Sequence, residues 1–239
     1  YRNNLVCSAN LINECITHNT KFIFTSSMAV YGDQEPPFTE EKKPQPIDPY
    51  GIAKYAVECD LKLAHEQFGL RYNIVRPHNV LGIYQNIWDR YRNVIGIFIR
   101  KAINGQPILV YGDGEQTRAF SDIRYYMDPF DKLLTGNDNE TFNIGADKHF
   151  TLNEVAQTVQ TIAKKYGYEV PIEHGEPRHE VKHAYCDHTK AKTMLEFRDE
   201  THLDELVESM FVWAMRQPNR KVKNMDYEVT KDIYDYWKH

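Results

Sequence analysis

Five of the eleven prolines fall within the fourteen residues 36–49, and this cluster constrains the fold more than any other feature of the sequence. Proline lacks an amide hydrogen and has a fixed φ angle, so a segment this rich in it forms neither helix nor sheet. Residues 21–26, before the cluster, are short, apolar and aromatic, which predicts a buried strand. A helix is predicted from Tyr50 to about Phe68, followed by a strand from Arg71 to Val75. Strand, long loop, helix and strand in this order predict an α/β fold with parallel strands.

The rest of the chain continues the alternation of helices and strands. Apolar residues at helical spacing predict an opening helix to about His18, and a capping box at Thr151 and Glu154 predicts another to about Tyr166. The other predicted elements are helices at 94–103, 126–134 and 203–215 and strands at 107–111, 117–123 and 142–144. We expect a Rossmann-type sheet domain over 1–86, a smaller α/β domain over 87–223 with some segments returning to the sheet, and a tail over 224–239.

Composition excludes several classes of function. The net charge is −5 and no long basic run is present, so we expect no nucleic-acid surface. No apolar run approaches the ~20 residues that a membrane-spanning helix needs. The four cysteines (Cys7, Cys15, Cys59 and Cys186) are scattered without paired spacing, so free thiols are expected. These features indicate a cytoplasmic protein that binds neither nucleic acid nor membrane.

Tyr50 and Lys54 place a phenol and an ammonium four residues apart on one face of the predicted helix. An ammonium beside a phenol favours the phenolate, so such a phenol can act as a base near neutral pH. The spacing alone is weak evidence, because it recurs at Tyr227/Lys231 and Tyr234/Lys238 and most such pairs are ordinary surface pairs. The first copy stands apart because the strand before it ends in hydroxyl residues 25–27, where α/β sheets place their sites.

The order of these motifs resembles the extended short-chain dehydrogenase/reductase family, and within it the nucleotide-sugar epimerases. The strand ends in Ser26-Ser27, a Val-Tyr-Gly follows at 30–32, and Pro-Tyr-Gly-x-x-Lys begins at Pro49. Further similar segments are Arg-Pro-His-Asn at 76–79, Tyr-Gly-Asp-Gly-Glu-Gln-Thr-Arg at 111–118 and Thr-Phe-Asn-Ile-Gly at 141–145. The resemblance therefore extends over most of the chain and implies C4 epimerisation of a UDP-hexose with NAD.

The resemblance also implies a role for each matching residue. Ser27, Tyr50 and Lys54 would be catalytic. The expected NAD contacts are Asn4, Ser26, Tyr50, Lys54, Pro77 and His78. The expected nucleotide-sugar contacts are Ser27, Asn79, Asn93, Tyr111, Arg118 and Arg178. Two arginines suit a diphosphate, because guanidinium groups bind phosphate oxygens in pairs, although an arginine such as Arg118 can equally stabilise a hairpin. A homodimer that pairs the helices beginning at Tyr1 and Tyr50 is also implied.

Two departures from the family pattern bear on function. The Gly-x-x-Gly-x-x-Gly loop that binds the NAD pyrophosphate is absent from these residues, so we expect that roughly the first quarter to third of such an enzyme is missing. The Thr-Asp-Glu of the family's dehydratases is replaced by Ser27, Met28 and Ala29, so 4,6-dehydration would lack its acid and base. Ala184 falls where some relatives carry a bulky tyrosine, which favours larger substituents at the sugar C2.

Three alternatives stay open from the sequence. One is another nucleotide-sugar reaction of the same family, such as decarboxylation or reduction. The second is a zinc hydrolase, because His179, Glu180 and His183 match His-Glu-x-x-His, although the polar flanks argue against a packed helix and we expect no metal. The third is a non-catalytic fragment that retains the sugar-nucleotide site and does not hold NAD.

Overall fold

The computed structural model describes residues 2–89, 93–177, 181–218 and 220. The helices are α1 (Cys7–Thr17), α2 (Pro49–Phe68), α3 (Val94–Ile103), α4 (Met127–Thr135), α5 (Leu152–Lys165), α6 (Thr189–Leu195) and α7 (Leu203–Met215). The strands are β1 (Phe22–Thr25), β2 (Tyr72–Pro77), β3 (Val80–Leu81), β4 (Ile108–Tyr111), β5 (Thr117–Ala119), β6 (Ser121–Asp122), β7 (Glu140–Ile144), β8 (His149–Thr151), β9 (Ile172–Gly175) and β10 (His183–Ala184). A π-helical turn precedes α1, and short 3₁₀ turns cover Met28–Tyr31 and Ile123–Tyr126. Within these ranges, no helix combines the length and apolar character needed to cross a membrane.

A parallel sheet with strand order β1-β2-β7 forms the first half of the fold, which confirms the predicted α/β class. Alternate residues point to opposite faces, and both faces are covered by helices. Phe24 and Ile74 pack with α1 and α2, whereas Val75 and Phe142 pack with α4 and α6. Because the strands are parallel, the carboxyl ends of β1 and β2 meet at one edge, where Ser26 and Pro77 lie.

The second half packs α3, α5 and α7 around an apolar core that includes residues from β4. Strands β4 and β9 pair in parallel, while β5 lies between β10 and β8. The chain returns to the first sheet through β7, as expected for a domain that shares segments with its neighbour. The division at residue 86 stays a proposal, since the two halves share these crossing segments.

The predicted single strand over 117–123 is wrong. The backbone leaves one sheet after Ala119 and joins β3 at Ser121, with Phe120 buried in the second core between them. Asp122 then accepts a hydrogen bond from the Arg124 amide at 2.8 Å and begins a helical turn. Burial of the Phe120 side chain in the core therefore divides the strand. This is a tertiary effect, and the alternation of apolar and polar residues along a strand does not predict it.

A buried ion pair joins α2 to β2. Glu58 is fully buried and accepts hydrogen bonds from the Arg76 guanidinium at 3.0 and 2.6 Å. Ser26 donates to the same carboxylate at 2.6 Å. Arg76 also donates to the Tyr31 hydroxyl at 2.8 Å, and Tyr31 donates to Asn143 at 2.8 Å. Helix α2, strands β2 and β7 and the loop after β1 are thus held by one satisfied polar network.

We predict that Glu58→Gln lowers the free energy of unfolding by about 3–5 kcal/mol, because it leaves the buried Arg76 charge without its partner. Urea denaturation followed by circular dichroism measures the change. The matched control is Glu196→Gln, which removes a carboxylate that is 82% exposed in its pair with Lys132. It should lower the free energy of unfolding far less, because solvent screens an exposed pair. Equal losses for the two variants would contradict the role assigned to the buried pair.

Candidate active site

One face of α2 carries three functional groups at successive helical turns: Tyr50, Lys54 and Glu58. Burial increases along this face, from Tyr50, which is 47% exposed, through half-buried Lys54 to Glu58, which is fully buried. The helix begins at Pro49, and its N-cap Asp48 accepts a hydrogen bond from the Gly51 amide at 2.7 Å. The cap and the buried carboxylate fix both the start and the rotation of the helix.

Lys54 lies at the carboxyl end of β1. Its ammonium donates to the Thr25 carbonyl at 2.8 Å and lies 5.8 Å from the centre of the Tyr50 ring. It also sits 4.9 Å from the Phe24 ring centre, where cation–π attraction adds to its placement. Burial lowers the pKa of Lys54 from its ordinary value. The sequence-predicted Tyr50 and Lys54 are therefore brought together, and the ammonium keeps further N–H donors for a ligand.

Ser27 opens the helical turn at Met28–Tyr31 and is half-buried. Its hydroxyl oxygen accepts a hydrogen bond from the Ala29 amide at 3.2 Å, so its proton remains available to donate to a ligand. The turn lies against the first turn of α2, because a Cβ atom on Gly51 would fall 2.6 Å from the Ala29 carbonyl oxygen. Only glycine permits this close approach, which brings the Ser27 turn and the Tyr50 helix together.

A cleft of about 280 Å³ opens beside Ser27. Its wall includes Pro77 and Asn79 from the end of β2 and Arg118 from β5. The remaining wall is formed by Met28, Ala29, Gly32, Phe38, Ile47, Asp48, His78, Val181 and Ala184. The structure thus brings predicted residues from both halves of the chain to one cavity.

Asn79 and Arg118 are both held by backbone carbonyls. Asn79, whose φ angle is positive at 41°, donates to the Ala119 carbonyl at 2.8 Å. The Arg118 guanidinium donates to the carbonyls of Thr117 at 2.8 Å and Lys182 at 3.1 Å, and also to that of Val181. Arg118 therefore braces the segment that leads into β10, the parallel neighbour of β5, and not the hairpin that the alternative interpretation expected, while it lines the cleft. Its predicted diphosphate contact stays a prediction.

A second and larger pocket has a volume of about 880 Å³, and Lys182 lines it next to Val181 of the cleft. Tyr111 at the end of β4, Gln116 and Lys182 contribute to its wall. Asn93 caps α3 by accepting a hydrogen bond from the Ile95 amide at 3.1 Å, which confirms that it opens a helix. Its contact with a diphosphate stays a prediction, as does that of Tyr111 with a base.

The predicted coenzyme residues lie in different surroundings. Asn4 is half-buried in the opening turn, where its carbonyl accepts from Ser8 at 2.8 Å. Ser26 and His78 are both buried, with the Ser26 hydroxyl committed to Glu58 and the His78 ring contacting His188. Pro77 lines the cleft. The backbone of Ser26 and His78 is therefore the part of these residues that a coenzyme could meet without breaking the contacts of the side chains.

Arg178, His179 and Glu180 lie outside the described residues, as does the tail that follows Arg220. His183 is described, and it lies on strand β10 with its Nδ1 atom 2.9 Å from the Thr117 hydroxyl. Residues 181–184 are extended or bent and not helical. The zinc-hydrolase alternative needs both histidines on one helical turn, and this local structure does not provide it.

Sequence reasoning missed two buried groups beside the site, Glu58 and His188. Glu58 continues the i, i+4 series of Tyr50 and Lys54, and that spacing was a usable signal. His188 had no such signal, because its partner His78 is 110 residues away in the chain. Contacts between distant residues of this kind come only with the tertiary fold.

Comparison with known proteins agrees with this geometry. The model of the NAD-dependent epimerase/dehydratase family matches residues 1–145. UDP-glucose 4-epimerase of Caenorhabditis elegans is 33% identical over 91% of this chain and 69% of its own length. UDP-N-acetyl-alpha-D-glucosaminuronate decarboxylase of Bacillus cytotoxicus is 30% identical over 85% of this chain and 66% of its own length. The chain thus spans about two thirds of the length of these relatives.

A solved structure shows the same fold. UDP-glucose 4-epimerase of Thermotoga maritima, crystallised with UDP-glucose, superposes with a TM-score of 0.81 at 30% identity, over 89% of this chain and 69% of that one. The chain therefore belongs to the NAD-dependent epimerase/dehydratase family, with the Rossmann-type architecture of its epimerases.

NAD is the coenzyme of this family, and the residues present fit one end of it. The ammonium of Lys54 and the exposed Thr25 lie at the end of β1, and Pro77 ends the neighbouring strand β2. Hydrogen-bonding groups here suit the hydroxyls of a ribose, and the proline ring suits contact with a flat ring. The 239 residues carry no Gly-x-x-Gly-x-x-Gly segment for the pyrophosphate. Contact of these residues with the nicotinamide and its ribose stays a prediction.

We predict that Gly51→Ala destabilises the protein by about 1–3 kcal/mol, because its methyl group overlaps the Ala29 carbonyl oxygen and forces α2 and the Ser27 turn apart. The control is Gly96→Ala, also within a helix, where a Cβ atom would meet nothing closer than 3.7 Å. That variant should be neutral or stabilising. Thermal unfolding of both variants measures the difference, and a tolerated Gly51→Ala would argue against the close approach.

Proposed function

We propose that this chain carries the catalytic and substrate-binding part of an NAD-dependent nucleotide-sugar epimerase acting at C4 of a UDP-hexose. One observation carries the proposal: Tyr50 and Lys54 stand at the carboxyl end of β1, next to a cleft walled by Ser27, Asn79 and Arg118. A hydroxyl donor and a cation thus line one cavity, and the proposed base lies on the helix whose N-cap, Asp48, is in the wall of that cavity.

Each residue has a role that its surroundings support. Tyr50, as phenolate, takes the proton from the sugar 4-hydroxyl, and the ammonium of Lys54 stabilises the phenolate. Ser27 donates a hydrogen bond to the same sugar oxygen. NAD, when bound, supplies reversible acceptance of a hydride at C4. After the 4-keto sugar has turned over in the cleft, the same hydride would return to the opposite face of C4 and Tyr50 would give the proton back to O4, which inverts C4 with no net change in oxidation state.

The two pockets divide the substrate between them. The sugar occupies the cleft beside Ser27, and the nucleotide occupies the larger pocket that Tyr111 lines. Arg118 lies on the β5–β10 wall between the pockets, so its cation suits the diphosphate that joins sugar and nucleoside. Asn79 and Asn93 and, outside the described residues, Arg178 complete the proposed set of phosphate contacts.

Ala184 bears on which hexose is bound. It is buried to 6% exposure and lines the sugar cleft together with Met28 and Val181. A small methyl group here leaves the space that a larger side chain would fill, so the cleft accepts an N-acetyl substituent at C2. We therefore expect UDP-N-acetylhexoses as well as UDP-hexoses to be substrates.

Two alternative functions remain consistent with these observations. A decarboxylase relative is 30% identical, and the same triad would oxidise C4 before loss of CO2. A non-catalytic chain that holds only the sugar nucleotide follows if NAD does not bind to these residues. Both predict retention of UDP binding, and only the first predicts release of CO2 from UDP-glucuronate.

The test is turnover of UDP-glucose, and separately UDP-N-acetylglucosamine, with NAD, followed by chromatography of the C4 epimers. We expect both epimers to form without net production of NADH. Tyr50→Phe should reduce the rate by at least about 100-fold, because it removes the base. The matched control is Tyr234→Phe, which alters another Tyr-x-x-x-Lys copy and should leave the rate unchanged.

Each alternative outcome has a distinct meaning. Release of CO2 from UDP-glucuronate without epimer formation would establish the decarboxylase. Thermal stabilisation by UDP without turnover would establish a substrate-binding chain that is not catalytic. Equal loss of rate in the two tyrosine variants, or none in either, would overturn the role of Tyr50.

We further propose a homodimer and a cytoplasmic location. The outer faces of α1 and α2 expose an apolar stripe that includes Leu11, Ile52 and Leu63, with exposures of 50%, 43% and 48%. Free cysteines at Cys7 and Cys59 lie on the same outer faces. An exposed apolar stripe of this kind on two helices fits a second copy of the same surface.

We predict that Leu63→Glu converts a dimer into a monomer, because it buries a charge in the proposed contact. Light scattering after size exclusion should give twice the 28.1 kDa of one chain for the unmodified protein and 28.1 kDa for the variant. Leu134→Glu is the control, since Leu134 is 65% exposed on α4 at the opposite face of the sheet. A monomeric unmodified protein would contradict the proposal.

A further inference from the structure

Two buried histidines meet edge to edge behind the cleft. His78 follows β2 and is 1% exposed, while His188 precedes α6 and is 2% exposed. Their Nε2 atoms lie 2.8 Å apart with the rings within 5° of parallel. Such a contact requires that one nitrogen donates a hydrogen and the other accepts it.

A carboxylate at the surface decides which nitrogen donates. The Nδ1 atom of His188 lies 3.0 Å from Asp147, a side chain that is 46% exposed and also pairs with Lys192 at 2.7 Å. The hydrogen bond from His188 is the main cause that lowers the pKa of Asp147 to about 2, so this group is ionised at neutral pH. An ionised carboxylate only accepts, so His188 donates from Nδ1, and in the neutral form of the ring its Nε2 accepts. His78 must then donate from its own Nε2.

The backbone of β7 and the loop after it are shaped around this contact. A Cβ atom on Gly145 would fall 1.8 Å from the His78 Nε2 atom, so the ring fits only because residue 145 is glycine. The His78 carbonyl accepts from Ser121 at 2.9 Å, and the Ser121 oxygen accepts from the Ala146 amide at 2.8 Å. Both the ring and the main chain of His78 are thereby held.

His78 lies between two other residues of the cleft wall. Pro77 precedes His78, and Asn79 follows it with a positive φ angle of 41°, a conformation that asparagine adopts and that needs support from its surroundings. Burial lowers the pKa of His78 to about 3, so this ring is neutral at neutral pH. The chain of hydrogen bonds therefore reaches from the surface carboxylate to the backbone turn that presents Asn79.

We propose that Asp147, His188 and His78 are positioning residues that fix the turn at 77–79 and so place Asn79 for the sugar nucleotide. The role in ligand binding rests on the proposed function, whereas the arrangement of hydrogens does not. The two imidazoles hold the turn through directional hydrogen bonds, and Asp147 fixes which nitrogen of His188 donates.

Long-range ¹H–¹⁵N spectra of the labelled chain without ligand test the tautomers, with assignments from His78→Gln and His188→Gln. We expect the Nδ1–H form for His188 and the Nε2–H form for His78 at neutral pH. Asp147→Asn, which offers an amide N–H as well as an oxygen, should shift both rings toward the opposite tautomers. Asp199→Asn changes a nearby carboxylate that accepts from the amides of Asp147 and Thr201 and touches neither ring, so it should leave both unchanged. The opposite tautomers in the unmodified protein would overturn the inference.

Calorimetric binding of UDP-glucose to the same proteins tests the positioning role. We expect the Kd to rise about tenfold in Asp147→Asn relative to Asp199→Asn, since a displaced contact weakens binding without unfolding the protein. An unchanged Kd would overturn the positioning role even if the tautomers are as inferred. If the unmodified protein does not bind UDP-glucose, the proposed function fails and the positioning role fails with it, whereas the tautomer result stands on its own spectra.

Discussion

The ion pair between Glu58 and Arg76 is the contact on which the candidate site depends. It joins the middle of α2 to the last residues of β2 in the buried interior, and the hydroxyls of Ser26 and Tyr31 provide further hydrogen bonds to the pair. Removing one partner of such a pair costs far more than removing a surface pair, because a buried charge is left alone. The same contact sets the rotation of α2, and this rotation turns Lys54 toward the end of β1.

The candidate site combines this half with a second half that supplies Arg118, the proposed diphosphate contact. Ser27, Tyr50 and Lys54 are placed by the parallel sheet and α2, while Arg118 comes from a strand of the other core. In α/β proteins the catalytic residues commonly lie at the carboxyl edge of a parallel sheet, and a neighbouring domain commonly binds the rest of the substrate. In this chain the bond from Arg118 to the 181–182 backbone keeps the guanidinium at the boundary between the two pockets.

Local signals in the sequence predicted most of the fold. The capping box at Thr151, the proline before Tyr50 and the apolar periodicity of α3 and α7 act within a few residues, and each predicted element formed. Three features depend on residues far apart in the chain: the break at Phe120, the short strands β8 to β10 and the His78–His188 contact. No local sequence pattern predicts them. For the site, motif order brought out Ser27, Tyr50 and Lys54, but the bracing of Arg118 and the burial of Ser26 required the tertiary structure.

A crystal structure of the protein with UDP-glucose and NAD tests the central claim most directly. The account predicts the diphosphate within hydrogen-bonding distance of Arg118, the sugar O4 atom beside Ser27 and Tyr50, and the uracil in the pocket that Tyr111 lines. A sugar nucleotide bound elsewhere, or bound with its O4 atom remote from Ser27 and Tyr50, would contradict the assignment of this cleft as the active site.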